Sequence, residues 1–167
     1  MKQNYFHTDK AVSLSDQDYY IYLLDKIDHA QKYIYASVFI INILEDKEKK
    51  IRILLDKLKY AKWRGVDVKL IIGHSQKNLL IDLYDRMCFE YLKDAVPIKY
   101  AQPDDDYSLH SKYVVIDDKI SIAGSHNWEH KAFFENKEDS VATFSRDVAL
   151  EFKHEFNKLW KTGLEEL

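Results

Sequence analysis

The sequence predicts an α/β domain built on a mixed β-sheet with helices on both faces. Three observations carry that prediction. A nearly uninterrupted run of apolar, β-branched and aromatic residues, Tyr33–Ile41, has the pattern of a strand buried on both sides, and Val66–Ile72 is a second apolar strand. Segments of helical period lie between and around them, the βαβ rhythm of parallel pairing. Further on, Lys112–Ile116 and Ile120–Ala123 flank Asp117-Asp118-Lys119, a tight hairpin, so antiparallel pairing must share the same sheet.

Each element has its own signal. A short strand is expected around Tyr5–His7. Ser15 and Asp18 are then candidate caps for a helix with Ile21, Leu24, Ile27 and Ala30 on one stripe. Lys47–Arg64 places Ile51, Leu54, Leu55, Leu58 and Ala61 on one helical face, and Gly65 supplies its stop. Asn78–Ala95 repeats the period with Leu79, Leu83, Met87, Tyr91 and Leu92 expected inside, and Pro97–Tyr100 reads as a short strand. Gln102–Ser108 is a polar loop carrying Asp104-Asp105-Asp106. Trp128–Phe134 forms one or two helical turns, with Phe133-Phe134 in the core, and Ser140–Phe144 forms a strand. Asp147–Lys161 closes the chain as an amphipathic helix through Val148, Phe152, Phe156, Leu159 and Trp160. No linker, repeat or low-complexity stretch interrupts this order, so residues 1–167 are expected to form a single domain.

Composition excludes several classes. The 167 residues are 46% hydrophobic with four Gly and two Pro, enough for one core and unlike a disordered or collagenous chain. The 28 acidic and 25 basic side chains leave a net charge of -3, which excludes a general polycation but not a local phosphate site. The one cysteine, Cys88, excludes an intrachain disulfide or a multi-cysteine zinc site and is expected to pack as a small apolar group. Met1–Lys10 lacks a basic-then-apolar leader. The apolar run Ile34–Leu44, broken by Ser37 and Asn42, is too short to span a bilayer. The expectation is a cytoplasmic protein with no membrane association.

The chemistry concentrates in Leu109–Val141. His110 and Lys112 are two apart on an expected strand and so share a face. Gly124-Ser125-His126-Asn127 ends the next strand, where glycine lets backbone approach a ligand. A hairpin sets the start of one strand beside the end of the other, which brings His110 and Lys112 next to Ser125 and Asn127. Lys112 supplies positive charge, Ser125 and Asn127 neutral donors, and His110 a nucleophile or proton carrier: a phosphate site with a nucleophile. Glu138, in Asn136-Lys137-Glu138-Asp139, is the carboxylate to hold the second ring nitrogen of His110. The stretch lacks the two or three carboxylates of a magnesium-dependent nuclease, so metal-free chemistry without a cofactor is expected. Asp117 reads as a hairpin residue. His126 and His130 have the spacing of a helical zinc pair, but no third ligand accompanies them. Asp104-Asp105-Asp106 reads as a solvated loop or as a rim that disfavours duplex nucleic acid.

His110-x-Lys112 with Asp117, Gly124-Ser125-x-Asn127 and Asn136-x-Glu138, in that order, resembles the motif of the phospholipase D superfamily. Tyr33–Ile41, the turn Ala61-x-x-Arg64-Gly65-Val66-x-Val68 and Phe152–Trp160 resemble its first long strand, its helix-to-strand turn and its closing helix. The likeness thus runs from about Asp18 to Trp160. It implies a phospholipase D-like fold with one motif per chain. His110 would be the nucleophile, forming a phosphohistidine; Lys112 and Asn127 would bind the non-bridging oxygens with help from Ser125; Glu138 would orient His110. Asp117, Gly124 and Asn136 would be structural members of the motif. The superfamily needs two such motifs. His7, His29, His74 and His154 lack the companions, so the resemblance implies a homodimer with one shared site. Tyr19, Tyr20 and Tyr22, in excess of what one helical face buries, are candidates for that interface, with ordinary packing or exposure as the alternative.

The implied function is a metal-independent phosphodiesterase, an endonuclease acting on nucleic acid. The alternatives are a lipid phosphodiesterase, for which no basic amphipathic segment is evident, and a non-catalytic nucleic-acid or partner-binding module of the same fold. The net charge of -3 favours a separate protein partner that delivers the substrate.

Overall fold

The computed structural model describes residues 10–44, 46–74, 78–102 and 109–167. The strand expected around Tyr5–His7 and the Asp104-Asp105-Asp106 loop lie outside these residues. Seven strands, β1 (Ala11–Ser15), β2 (Tyr33–Val38), β3 (Asp67–Ile72), β4 (Ile98–Tyr100), β5 (Lys112–Ile116), β6 (Ile120–Gly124) and β7 (Asp139–Phe144), form one sheet in the order β1-β7-β6-β5-β2-β3-β4. β2, β3 and β4 run parallel, while β5, β6, β7 and β1 add on antiparallel, which is the mixed sheet the sequence predicts.

Alternation along the central strands splits the core in two. Ile34, Ala36 and Val38 pack with α1 (Gln17–His29), α2 (Lys49–Trp63), α3 (Leu79–Leu92) and α4 (His130–Phe134). Tyr33, Tyr35, Tyr113 and Val115 face the other way, onto Ala149 and Phe156 of α5 (Arg146–Thr162). Helices therefore cover both faces. β2 and β5 are buried along their whole length, as their unbroken apolar runs require.

Three expectations need correction. First, β2 stops at Val38 rather than Ile41, because the next residues leave β3 and pair with the chain after β6: Trp128 N donates to Ile40 O and Asn42 N to Trp128 O, both at 2.9 Å. Second, α1 is rotated from the expected stripe. Tyr19, Tyr20, Leu23 and Ile27 are buried while Ile21 is 62% exposed. Both tyrosine hydroxyls find partners, Tyr19 accepting from Trp128 Nε1 at 3.1 Å and Tyr20 donating to Lys50 O at 3.1 Å, so the rings can go inside. Tyr19 and Tyr20 are thus core residues rather than interface candidates, and Tyr22 is partly buried against the same core. The residue flanking the start of α1 is Asp16, with no side-chain cap, instead of Ser15 or Asp18. Third, the inner face of α3 is Asp85, Cys88, Phe89 and Leu92, with Leu79 81% exposed and Leu83 also exposed. A buried carboxyl, Asp85, takes an inward position that an apolar stripe does not reveal. Asn78 caps this helix, its Oδ1 accepting from Leu80 N and Ile81 N.

The connections differ by end. At one end of the sheet the turns are tight: Ala30–Lys32, Arg64–Val66 and Asp117–Lys119. At the other lie the longer segments after β2, β3 and β6 and the residues leading into β5. The β5–β6 turn is Asp117–Lys119, with Ile116 opposite Ile120; Lys119 N donates to Ile116 O at 3.0 Å across Asp117 and Asp118, whose φ values of 57° and 52° are left-handed. The Asp117 carboxylate accepts three backbone N–H groups from the entry to β2: Gln31 at 2.8 Å, Lys32 at 2.7 Å and Tyr33 at 3.0 Å.

Asp117→Ala leaves those three amides without their acceptor. A loss of about 3 kcal/mol is expected, read as a lower midpoint in urea unfolding.

Candidate active site

The site lies at the long-loop end of the sheet. β5 begins there at Lys112, opposite Val38 of β2, and His110 sits two residues ahead of it. Lys112 is buried and His110 exposed. Lys112 Nζ donates to the His110 carbonyl at 2.8 Å and lies 3.2 Å from His110 Nδ1. Burial pushes the Lys112 ammonium down from the usual lysine value, and the charge of Glu138 opposes that shift. Phe39, just past β2, forms the adjoining wall. Its ring centroid is 4.8 Å from that of His110 and 5.1 Å from Lys112 Nζ. The ring reaches this place because residue 73 is glycine: a Cβ there would overlap the Phe39 carbonyl and crowd its ring.

The opposite side comes from the end of β6. Gly124 faces Ser140 of β7 so closely that a Cβ would overlap Ser140 Oγ and the Asp139 carbonyl. Ser125 is clamped to β7, its Oγ accepting from Asp139 N at 3.1 Å and donating to Asp139 O at 3.3 Å. Asn127 Oδ1 is buried with no hydrogen-bond partner among the described residues. Glu129, against Asn127, has its carboxyl pushed up by burial, with the Asn127 hydrogen bond opposing.

Asn136 Nδ2 donates to Glu138 Oε1 at 2.9 Å, so these two motif residues do come together. Among the described residues, no hydrogen bond joins Glu138 to His110. The His110 Nδ1 position that a carboxylate would occupy is beside the Lys112 ammonium instead. His126 is fully buried with both ring nitrogens engaged, and His130 faces Glu135, so the two do not form a zinc pair.

Four residues outside the sequence reading shape the site: Phe39, Asp16, Glu48 and Asp85. Glu48 is buried, accepts from Asn42 Nδ2 at 3.2 Å and His130 N at 2.7 Å, and is pushed up by burial. Asp85 Oδ1 accepts from Ile41 N at 3.3 Å, and burial pushes its carboxyl up to about 8. Both acids hold the strand extension that carries Phe39 and pairs with Trp128, the neighbour of Asn127. The only available signal was an acid interrupting an apolar helical stripe.

With the geometry set out, comparison with known proteins decides the family. A family model described as "Cardiolipin synthase, PLD-like domain" matches residues 23–160, most of the chain. The chain belongs to the phospholipase D-like family. Cardiolipin synthase A of Pseudomonas putida (strain GB-1) is 31% identical over 101 residues, which are 60% of this chain and 20% of that relative. The chain therefore spans about a fifth of the length of the synthase it matches. Among solved structures, Nuc from Salmonella typhimurium, a phospholipase D family member, superposes with a TM-score of 0.74 at 19% identity, covering 92% of this chain and 97% of that one. NucT from Helicobacter pylori superposes with a TM-score of 0.73 at 20% identity, covering 93% and 98% respectively. The two superpositions show the phospholipase D fold.

Two outcomes follow from the buried charges. Lys112→Met removes an ammonium that burial disfavours, so its thermal midpoint should equal or exceed that of the wild type while binding of inorganic phosphate is lost. For Asp85, the folded carboxyl titrates above its unfolded counterpart, so the folded state holds more protons between the usual carboxylate value and about 8. Stability contributed by the protonated form is lost as pH rises through that window and changes no further above it. Asp85→Asn, which keeps an acceptor for Ile41 N, should gain on the wild type with rising pH and level off above about 8, as measured by urea unfolding at a series of pH values.

Proposed function

We propose that the chain is a metal-independent phosphodiesterase that cleaves nucleic acid through a phosphohistidine at a site shared by two copies. The observation that carries this reading is the pairing of the exposed His110 with the buried Lys112, a nucleophile 3.2 Å from a fixed cation at the end of the sheet where β6 also delivers Asn127.

The hydrogen bonding at His110 supports the shared site. An ammonium at Nδ1 can only donate, which leaves the proton of a neutral ring on Nε2 and removes the lone pair needed for attack there. A carboxylate at Nδ1 reverses this by accepting Nδ1–H and freeing Nε2. Glu138 does not fill that role within its own chain, so the second copy supplies it across a two-fold axis. His110 Nε2 then attacks phosphorus, the P–O bond to the leaving group breaks, and the protonated partner's His110 gives its proton to the departing oxygen. Water next attacks the phosphohistidine, giving a proton back to the partner's His110, and the P–N bond breaks to release product. Lys112 and Asn127 balance charge on the non-bridging oxygens throughout.

A lipid phosphodiester is the second reading. The matching family model is named for cardiolipin synthase, and Leu79, Leu80 and Leu83 stand exposed at the start of α3, on the same end of the sheet as His110. Among the described residues, no helix is long and apolar enough to cross a membrane.

The deciding experiment incubates wild type and His110→Ala with labelled single- and double-stranded DNA and RNA and with phospholipid vesicles, all in excess EDTA. Nucleic-acid cleavage that persists in EDTA and falls at least ~10³-fold in the variant is the expected result. Turnover confined to the vesicles would select the lipid reading. A monomer with full activity in gel filtration would overturn the shared site.

A further inference from the structure

We infer that His126, the residue between Ser125 and Asn127, is a positioning residue: held in its Nε2–H form, it sets Asn127 and Glu138 relative to each other through Asp16 and Ser140. This deepens, and rests on, the phosphodiesterase reading above.

His126 is 0% exposed and its imidazole lies flat against Tyr19, with ring centroids 4.3 Å apart and planes 8° from parallel. Nε2 is 3.0 Å from the Asp16 carbonyl oxygen. A carbonyl only accepts, so the proton is on Nε2. Nδ1, 2.8 Å from Ser140 Oγ, then accepts the serine hydroxyl of a neutral ring. Burial holds the ring below the usual histidine value. The carboxylates that face it from the β1–α1 junction and from the entry to β7, Asp16, Glu138 and Asp139, favour its charged form and do not prevail.

The other end of each bond reaches the site. Asp16 grips Glu138 from both sides: Asp16 N donates to Glu138 O at 2.9 Å, and Glu138 N donates to Asp16 Oδ1 at 3.1 Å. Lys137 Nζ adds a contact to Asp16 Oδ2 at 2.7 Å. Asp16 adopts a φ of 49°, a backbone that side-chain-bearing residues disfavour and that persists where surrounding bonds over-determine it. Ser140 is the residue packed onto the bare backbone of Gly124, two positions before His126. One buried ring thus ties the segment carrying Asn127 to the segment carrying Glu138. A shift of about 1 Å between such groups is enough to cost ~10²-fold in rate.

The test compares wild type, His126→Gln, His126→Phe, Ser140→Ala and His110→Ala on bis(4-nitrophenyl) phosphate, with thermal midpoints for each. It adds ¹⁵N NMR of the wild-type imidazoles between pH 5.5 and 8. Gln carries an N–H close to the Nε2 position but no acceptor for Ser140 and should lose about tenfold in kcat, whereas Phe keeps only the stacking on Tyr19 and should lose about 10²-fold in kcat with KM little changed. Ser140→Ala, which removes one hydrogen bond from a folded chain, should lose about tenfold in kcat and so carries the test if the Phe variant does not fold. The NMR should show one neutral, Nε2-protonated ring that does not titrate in that range. Wild-type kcat in the Phe or Ser140→Ala variants, or a His126 ring that is Nδ1-protonated or titrates normally, overturns the inference. Hydrolysis by wild type no faster than by His110→Ala overturns the phosphodiesterase reading itself and is recognisable as that separate failure.

Discussion

The carboxylate of Asp117 holds three backbone amides at the mouth of β2, and the rest of the site depends on that grip. It joins the β5–β6 hairpin to the entry of β2 and thereby sets the register that runs from Ile34 opposite Ile116 to Val38 opposite Lys112. A slip of one residue would turn every side chain on β5 to the other face and carry Lys112 away from His110 and Phe39. The residue lies at the far end of the sheet from His110, so its influence passes along the strands and not through any contact with the chemistry. Phe39 then continues β2 beyond the register, and Gly73 leaves it room to meet His110 and Lys112.

Around this frame the molecule buries several charges that a purely stabilising design would omit. Lys112, Glu48, Asp85 and Asp117 are all buried, and burial shifts Lys112, Glu48 and Asp85 toward their neutral forms. Buried polar groups of this kind cost stability unless each is satisfied. Here Asp85 and Glu48 accept from chain segments that leave the sheet, from the backbone N–H of Ile41 and His130 and from the Asn42 side chain. Their common effect is to hold irregular segments in one conformation where regular pairing has ended. Burial disfavours the charged form of Lys112, whereas the Asp117 carboxylate is satisfied by three backbone amides.

Much of this was legible in the sequence, and for identifiable reasons. The mixed sheet could be read because β2 and β5 are buried on both faces and so are written as unbroken apolar runs, and because Asp117-Asp118-Lys119 marks a tight hairpin. α2 was legible residue by residue, since Ile51, Leu54, Leu55, Leu58 and Ala61 are both its apolar stripe and its buried face. The stripes of α1 and α3 misled because hydrogen bonds outweighed apolar periodicity: paired tyrosine hydroxyls drew Tyr19 and Tyr20 inward and left Ile21 outside, and Asp85 took an inner position on α3. The motif placed His110, Lys112, Ser125, Asn127, Asn136 and Glu138 at one end of the sheet. It could not show that Glu138 would meet Asn136 instead of His110, because a spacing pattern says nothing about which side chains bond. Asp16 and Phe39 belong to segments distant in sequence and announce themselves only once the chain is folded.

The uneven distribution of loops has a consequence for descent. Tight turns at one end leave little room for insertion without disturbing the strand register, whereas the segments after β2, β3 and β6 and before β5 can lengthen or shorten with the sheet unchanged. Lineages built on this frame can therefore exchange one grip for another by remodelling a single rim, while the chemistry seated on β5 and β6 is inherited intact. A shared fold among proteins named for quite different biology is what such one-sided freedom would leave behind.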